Sequence, residues 1–242
     1  FTASNRKTFT ISTWIKRSAL TVNNCIYSAG TNDSTDRELL VFLADAGEED
    51  KLYFNAKVSN STVAQFYTNR RFRDVGAFYH IVLAFDTTQA TDTNRMKLYV
   101  NGELETFSSV TYPNQNRDMN TNNTAHTIGS TIGNSYYFDG YLAEVAFIDG
   151  SALAPTAFGE FDEDSPTIWK PKEFKDDVTF GNNGYYLDFA DSGDLGDDES
   201  GNTNDWTEVN LAATNQSTDT CTNNFSTFNP LDVPEVGEKP TL

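Results

Sequence analysis

The chain has 242 residues, a length that suits one large all-β domain or two small ones. Its 17 basic and 35 acidic residues give a formal net charge of −18, which repels nucleic-acid phosphates and anionic membrane surfaces. No apolar run approaches the ~20 residues that a membrane-spanning helix needs. We therefore expect no nucleic-acid partner and no membrane insertion.

Short runs that alternate apolar and polar residues dominate the chain, and each predicts a β-strand. In chain order they are Thr8–Lys16, Glu38–Ala44, Lys51–Val58, Thr62–Tyr67, Tyr79–Asp86, Phe138–Ile148 and Gly184–Phe189. No segment sustains a helical period over three turns, and Pro155–Phe158 predicts one helical turn at most. The chain is therefore expected to be almost free of helix.

The clearest local signal is a hairpin within Arg95–Phe107 (RMKLYVNGELETF). Asn101-Gly102 separates two alternating runs, and this dipeptide tolerates the positive φ that a type I′ turn demands. Many short strands at a spacing of roughly 8–12 residues are typical of two packed antiparallel sheets. The predicted fold class is all-β, a two-sheet antiparallel jelly-roll sandwich.

The composition changes after Ile148 and indicates the domain organisation. We assign residues 1–164 to the sandwich, 165–183 to an extended linker, 184–211 to a strand and acidic loop that complete the same sandwich, and 212–242 to an extended polar tail. Such a tail cannot form its own core, so an ordered tail is expected to contact a neighbouring subunit, as in a homotrimer. Whether Cys25 and Cys221 pair stays open.

Four runs carry a family resemblance because they occur in the family's order: Phe9–Arg17 (FTISTWIKR), Ala77–Asp86 (AFYHIVLAFD), Lys97–Glu103 (KLYVNGE) and Gly133–Ile148 (GNSYYFDGYLAEVAFI). With them the chain resembles the concanavalin A-like lectin/glucanase superfamily in its laminin-G-like form. Two further stretches, Ala154–Lys172 and Gly184–Leu211, are similar to virion proteins of tailed bacteriophages, particularly marine ones. The fold hosts many functions, so the resemblance says more about fold than about ligand.

The resemblance implies a non-enzymatic virion protein, located in a fibre, a tail or a capsid decoration. Its expected partners are host surface glycan, other virion subunits, or both. Two alternatives stay open: a glycoside hydrolase or depolymerase of the glucanase type, and a cellular calcium-dependent lectin module.

The enzyme alternative depends on Glu160 and Asp162, which resemble the paired acids of laminarinase-type glucanases. Alternate residues of a strand share one face, so the two carboxylates could act together. However, Asp164 stands where the longer acid Glu is expected, and four acids within five residues indicate a solvated segment whose carboxylates stay ionised. We therefore predict no catalytic residues.

The segment Asp191–Asp205 is rich in the hard oxygen ligands that Ca²⁺ prefers. Laminin-G-like domains often hold calcium near such a loop, and the resemblance implies Asp198, Asn202 and Asn204 as ligands of a structural calcium ion. Ala143 replaces the Asp that the family commonly has nearby. A solvated acidic loop is the equally weighted alternative.

Three tyrosines, Tyr112, Tyr136 and Tyr137, are candidates for a glycan-binding platform, because aromatic faces stack on pyranose rings. Two polar loops, Thr31–Arg37 and Tyr112–Asn123, are expected to carry binding residues on the rigid sandwich. His80 lies within a predicted strand without a metal-ligand pattern around it, which favours a structural, hydrogen-bonded role.

Overall fold

The structure is a computed structural model that describes residues 4–119, 121 and 124–223. Its strands are β1 (Thr8–Arg17), β2 (Asn24–Asn32), β3 (Asp36–Phe42), β4 (Lys51–Val58), β5 (Ser61–Arg71), β6 (Tyr79–Asp86), β7 (Met96–Val100), β8 (Glu103–Leu104), β9 (Phe107–Thr111), β10 (His126–Ile128), β11 (Gly140–Asp149), β12 (Gly159–Phe161), β13 (Trp169–Pro171) and β14 (Tyr185–Leu187).

The described ranges contain 3-10 turns at Asp92–Asn94, Pro155–Ala157 and Ala213–Asn215, and Thr121 also has 3-10 conformation. None of these described helices is long and apolar enough to cross a membrane.

Two antiparallel six-stranded sheets build the sandwich. The first has the order β14-β11-β1-β6-β7-β8, and the second has the order β10-β2-β3-β4-β5-β9. The core lies between them and is rich in phenylalanine, with Phe9 stacked on Phe85 at 4.8 Å between ring centroids. The predicted all-β, two-sheet sandwich is confirmed.

The hairpin about Asn101-Gly102 is present, with φ of 50° at Asn101 and 81° at Gly102. Val100 pairs with Glu103 across the turn. The second arm is shorter than predicted, because the chain leaves β8 after Leu104 and enters the opposite sheet as β9 at Phe107.

The strand expected from Gly184–Phe189 is β14, which pairs with β11 beside β1. It therefore extends the same sheet that contains the first strand of the chain. Glu144 of β11 has φ of 51° where the pairing with β1 shifts register, between Ser12 and Trp14. The strand thus carries a β-bulge near its middle.

Residues 165–183 are not an extended linker. Phe174 and Phe180 are buried against Val82 and Ile148, on the face of the first sheet that points away from the core. Trp169 of β13 pairs with Phe161 of β12 to form a small ribbon on the same face. This second apolar layer explains why almost every residue of β1 is buried, rather than every other one.

The first residues of the expected tail, 212–223, lie against the sandwich. Lys16 forms an ion pair with Asp219, and Cys221 packs near Trp14. Cys25 and Cys221 are both free thiols. The rest of the tail, and with it the prediction of contacts to a neighbouring subunit, lies outside the described residues.

Candidate functional site

One end of the sandwich collects the turns that connect β2 to β3 and β4 to β5. We call this end, with residues 31–35, 58–60 and the described part of the loop 112–125, the turn end. Asn60 N–H donates to the Thr35 carbonyl at 2.8 Å, and Lys57 Nζ donates to the Ser34 carbonyl at 3.5 Å. Both loops that the sequence predicts as binding loops, Thr31–Arg37 and the described part of Tyr112–Asn123, lie here.

A surface depression of ≈ 510 Å³ opens at the turn end. We call it the Asp33 depression; it is lined by Gly30, Thr31, Asn32, Asp33, Ser34, Ala125, Thr127, Ile132 and Gly133. The lining combines hydroxyl, amide and carboxylate groups with the apolar side chains of Ala125 and Ile132. Such a mixture suits a small polar ligand with apolar patches of its own.

Asp33 is the fixed polar group of this depression. Its Oδ2 accepts hydrogen bonds from Thr131 Oγ1 at 2.7 Å and from Gly133 N at 2.9 Å. Its Oδ1 is buried and, among the described residues, has no hydrogen-bond partner. A Cβ at position 133 would lie 2.1 Å from Oδ2, so only glycine permits this approach. Oδ2 thus holds the Asp33 carboxylate in position, and Oδ1 keeps the capacity to accept a hydrogen bond.

The loop 112–125 is anchored near its middle. Thr121 contacts the buried carboxylate of Glu38 through both its hydroxyl and its backbone N–H. His126 Nε2 lies 2.7 Å from the Thr121 carbonyl, and Gly30 N–H donates to the Ala125 carbonyl at 3.1 Å. The described residues of this loop are therefore tied to β2 and β3, which fixes the side of the Asp33 depression that Ala125 lines.

A second depression, of ≈ 440 Å³, lies on the other side of the β4–β5 turn. We call it the Arg117 depression; it is lined by Arg6, Val58, Asn114, Gln115, Asn116, Arg117 and Asp118. It contains the guanidinium groups of Arg6 and Arg117, although the chain as a whole has a net charge of −18.

The three tyrosines of the predicted glycan platform differ in exposure. Tyr112 follows β9 toward the turn end, where it is half-buried against the core. The Tyr136 carbonyl accepts a hydrogen bond from Cys25 N, and the Tyr137 carbonyl accepts one from Asn24 Nδ2, at the start of β2. Tyr136 and Tyr137 are exposed there, and Tyr136 follows Gly133 of the Asp33 depression by three positions, so the platform stays a prediction.

The three predicted calcium ligands do lie together, but they act as a hydrogen-bonded latch. Asp198 Oδ1 accepts from Tyr186 N and Ser200 N, and its Oδ2 accepts from Ser200 Oγ and Asn204 N, all within 2.8–2.9 Å. Asn202 and Asn204 donate their amide N–H groups to the Gly184 carbonyl at 2.9 and 2.8 Å.

We call residues 198–204 the Asp198 latch, because they fasten the acidic loop to β14. Four donors occupy both carboxylate oxygens of Asp198, and the two asparagines turn donors inward, so this arrangement does not fit the oxygen shell that Ca²⁺ requires. Within the described ranges, no group of three His, Cys, Asp or Glu residues could hold a metal ion. Bound calcium stays a prediction that these contacts do not support.

Glu160 is exposed and Asp162 is half-buried at the β12–β13 ribbon, and the two share one partner. Lys170 Nζ lies 3.6 Å from Glu160 Oε1 and 3.2 Å from Asp162 Oδ2. The hydrogen bond from Lys170 lowers the pKa of Asp162. A general acid needs the opposite shift, so the ribbon lacks the environment of a retaining acid pair.

His80 is a structural residue with a defined tautomer. Trp169 Nε1–H donates to His80 Nδ1 at 2.9 Å, so Nδ1 carries no proton and Nε2–H donates to Ser12 Oγ, also at 2.9 Å. Burial lowers the pKa of His80 to about 3. Because the imidazole donates to the serine hydroxyl, it cannot take the serine proton, and the pair is no nucleophile–base unit.

Residues 2–156 match the family model described as the concanavalin A-like lectin/glucanases superfamily, of laminin-G type. The chain belongs to this superfamily. The resemblance carried by the four sequence runs is thus confirmed at the level of the family.

Several solved structures are similar to part of this superfamily member at low sequence identity. A candidate carbohydrate-binding protein from Bacteroides ovatus is 20% identical over 62% of this chain and 39% of its own, with a TM-score of 0.47. A heptameric SAP-like pentraxin from Limulus polyphemus is 17% identical over 63% and 68%, with a TM-score of 0.44.

A third solved structure is the CBM40 domain of the Ruminococcus gnavus IT-sialidase, 17% identical over 62% of this chain and 80% of its own, with a TM-score of 0.42. No curated protein sequence matches the chain. The match to the Bacteroides ovatus protein covers 39% of that protein, so this chain spans well under two thirds of its length.

The sequence predicts the two polar loops that border these depressions, but not the distant residues that come together with them. Asp33 lies inside the predicted loop Thr31–Arg37, yet the residues that fix it follow about 100 positions later. Arg6 and Arg117 drew no attention because they are 111 residues apart and belong to no motif. Only the fold brings these side chains to one end.

Proposed function

We propose that this superfamily member is a non-catalytic carbohydrate-binding module whose site is the Asp33 depression. The observation that carries the proposal is Asp33 Oδ1, a buried carboxylate oxygen without a partner among the described residues. A buried acceptor that lacks a donor is costly, so it favours a ligand that supplies one. Sugar hydroxyls supply O–H donors in adjacent pairs.

The remaining lining matches the rest of a sugar ring. Thr31, Asn32 and Ser34 offer short polar groups around the carboxylate, and Ile132 offers an apolar contact for the C–H face of a pyranose. The depression is open and shallow rather than a closed cavity, which suits a residue within a longer glycan. Short polar loop residues held by a rigid sandwich are the usual carriers of such recognition.

We further propose that the module belongs to the virion of a tailed phage, as a fibre, tail or capsid decoration, where it binds host surface glycan or another virion subunit. The support is the likeness of residues 154–172 and 184–211 to virion proteins and the acidic surface, which favours solubility. Mass spectrometry of purified virions tests this placement. Absence of the chain from the particles would favour a cellular lectin module.

The Asp33→Asn variant tests the binding site. The substitution keeps the shape and removes the charge, and we expect at least a tenfold loss of affinity in isothermal titration against glycans first selected on an array. Asp176→Asn is the matched control, because it removes the same charge at an exposed position far from the depression. Equal binding by wild type and Asp33→Asn would overturn the site.

A reducing-sugar assay on the same glycans tests the non-catalytic part of the proposal. We expect no turnover by the wild type. Turnover that disappears in Glu160→Gln would instead favour the glycoside hydrolase alternative.

A further inference from the structure

We propose that the Arg117 depression is an anion subsite that binds the carboxylate of an acidic sugar, so that the preferred ligand is an acidic glycan. The inference deepens the proposed function and uses residues outside the Asp33 depression. It starts from two guanidinium groups, Arg6 and Arg117, that line one surface depression.

Arg117 has unused donor capacity at this depression. Its Nε is buried and has no hydrogen-bond partner among the described residues. Within residues 4–119, 121 and 124–223, no carboxylate forms an ion pair with Arg6 or Arg117, and Asp118 lies at 4.0 Å from Lys7 instead. A guanidinium presents donors in a planar fork that matches a carboxylate with two parallel hydrogen bonds.

The two arginines are anchored in different ways. Arg6 Nε donates to the Met119 carbonyl at 2.8 Å, which holds its side chain. The Arg117 carbonyl accepts from Thr87 Oγ1 at 2.8 Å, and Asn116 N–H donates to the Thr87 carbonyl at 2.7 Å, so the backbone that carries the Arg117 side chain is fixed. Such anchoring lowers the entropy that is lost when a ligand binds.

Charge supports an anion rather than a neutral sugar at this position. A net charge of −18 repels an acidic glycan as a whole, so such a ligand needs a local group of cations. Of the residues that line the depression, Arg6 and Arg117 carry positive charge and Asp118 carries negative charge, and Lys7 Nζ lies 4.0 Å from the Asp118 carboxylate. Removal of solvent from one guanidinium nitrogen strengthens its attraction for an anion.

The two depressions are neighbours across the β4–β5 turn. Val58 lines the Arg117 depression, and the adjacent Lys57 reaches the Ser34 carbonyl beside Asp33. A glycan that places a sugar with free hydroxyls at Asp33 can therefore extend toward the arginines. A uronic-acid residue next to a neutral residue fits this order of groups.

The direct test uses glucuronate and glucose as matched probes of the full chain, one with and one without a carboxylate. We expect glucuronate to shift the Arg117 Nε–Hε resonance in ¹⁵N NMR spectra and glucose to leave it unchanged. Absence of a shift with glucuronate would overturn the subsite whatever happens at Asp33.

Variants separate the subsite from the proposed function. Arg117→Gln is expected to weaken binding of uronate oligosaccharides at least tenfold and to leave neutral oligosaccharides unaffected, whereas Lys97→Gln, with the same charge change on β7, should have no effect. Arg117→Lys keeps the charge but loses the fork, and should recover only part of the affinity. Unchanged uronate binding in Arg117→Gln, with binding lost in Asp33→Asn, would refute the subsite and retain the module.

Sulfated oligosaccharides test whether the Arg117 depression prefers a carboxylate to another anion. They share the oxyanion but not the planar carboxylate, so we expect weaker binding than for uronates of equal length. Stronger binding of the sulfated ligand would overturn the assignment to a carboxylate.

Discussion

Two loops of this protein place an aspartate among short polar residues, and the two aspartates have opposite roles. In the Asp198 latch, four donors from the protein fill both carboxylate oxygens. In the Asp33 depression, two donors hold one oxygen and the other has no partner among the described residues. Composition does not distinguish these loops, since both are rich in Asp, Asn, Ser and Gly.

On the function proposed above, hydrogen-bond occupancy rather than the density of acidic residues separates the structural carboxylate of Asp198 from the binding carboxylate of Asp33. The more acidic segment, Asp191–Asp205, uses its central aspartate internally to fasten β14. In the less acidic loop, Asp33 Oδ1 has no hydrogen-bond partner among the described residues. The predictions below test this contrast.

The largest expected effect is on the Asp198 latch. Asp198→Ala leaves Tyr186 N and the other donors without their acceptor beside β14, and we expect a loss of about 3 kcal/mol in the free energy of unfolding. Asp33→Ala should cost less than about 1 kcal/mol, because only two donors lose their partner at an open surface. Urea denaturation of both variants measures the difference, and equal losses would remove the distinction between the loops.

The buried His80 of the first sheet should make the free energy of unfolding depend on pH. Burial lowers the pKa of His80 to about 3, so between this value and its usual 6.5 the unfolded chain binds a proton that the folded chain does not. Stability is therefore lost as pH falls below 6.5, by about 1.4 kcal/mol per pH unit. Burial of His126, whose pKa is lowered to about 4, adds to the slope in the same direction.

The His80→Gln variant isolates the contribution of His80. Its free energy of unfolding, from urea denaturation at pH 7.5, 6.5 and 5.5, should fall less steeply than that of the wild type. Parallel curves for the two proteins would show that His80 is protonated in the folded state.

The smallest expected effect concerns calcium. Because donors of the protein occupy the oxygens of Asp198, we expect the melting temperature to change by less than about 2 °C between 5 mM CaCl₂ and 5 mM EDTA. Differential scanning calorimetry measures the change. A much larger stabilisation by CaCl₂ that Asp198→Asn abolishes would restore the interpretation of this loop as a metal site.

Much of the fold could be predicted because most strands are short runs of β-branched and aromatic residues bounded by turn residues. Lys51–Val58 and Tyr79–Asp86 were predicted with the bounds that the structure shows. Asn24–Asn32 was missed, since its small and polar residues are buried on both faces and show no alternation. The packing of residues 165–183 was missed because its apolar residues are isolated in sequence and meet only on the folded sheet.

The candidate site could be predicted only as far as its loops. Loop polarity identified Thr31–Arg37, because polar turns between buried strands reach the surface. The state of Asp33 depends on Gly133, and the Arg117 depression depends on Arg6, so neither is visible in a local window of sequence.

The position of β14 has a consequence for how this chain becomes soluble. The family match ends at residue 156, whereas the sheet is complete only when Tyr185–Leu187 pairs with β11. A nascent or proteolysed chain that stops near residue 156 would present β11 as an open edge, with Ile148 uncovered on the outer face. Unpaired edges recruit other strands, so such a fragment is an aggregation hazard. The smallest soluble folding unit is therefore longer than the part that defines the family.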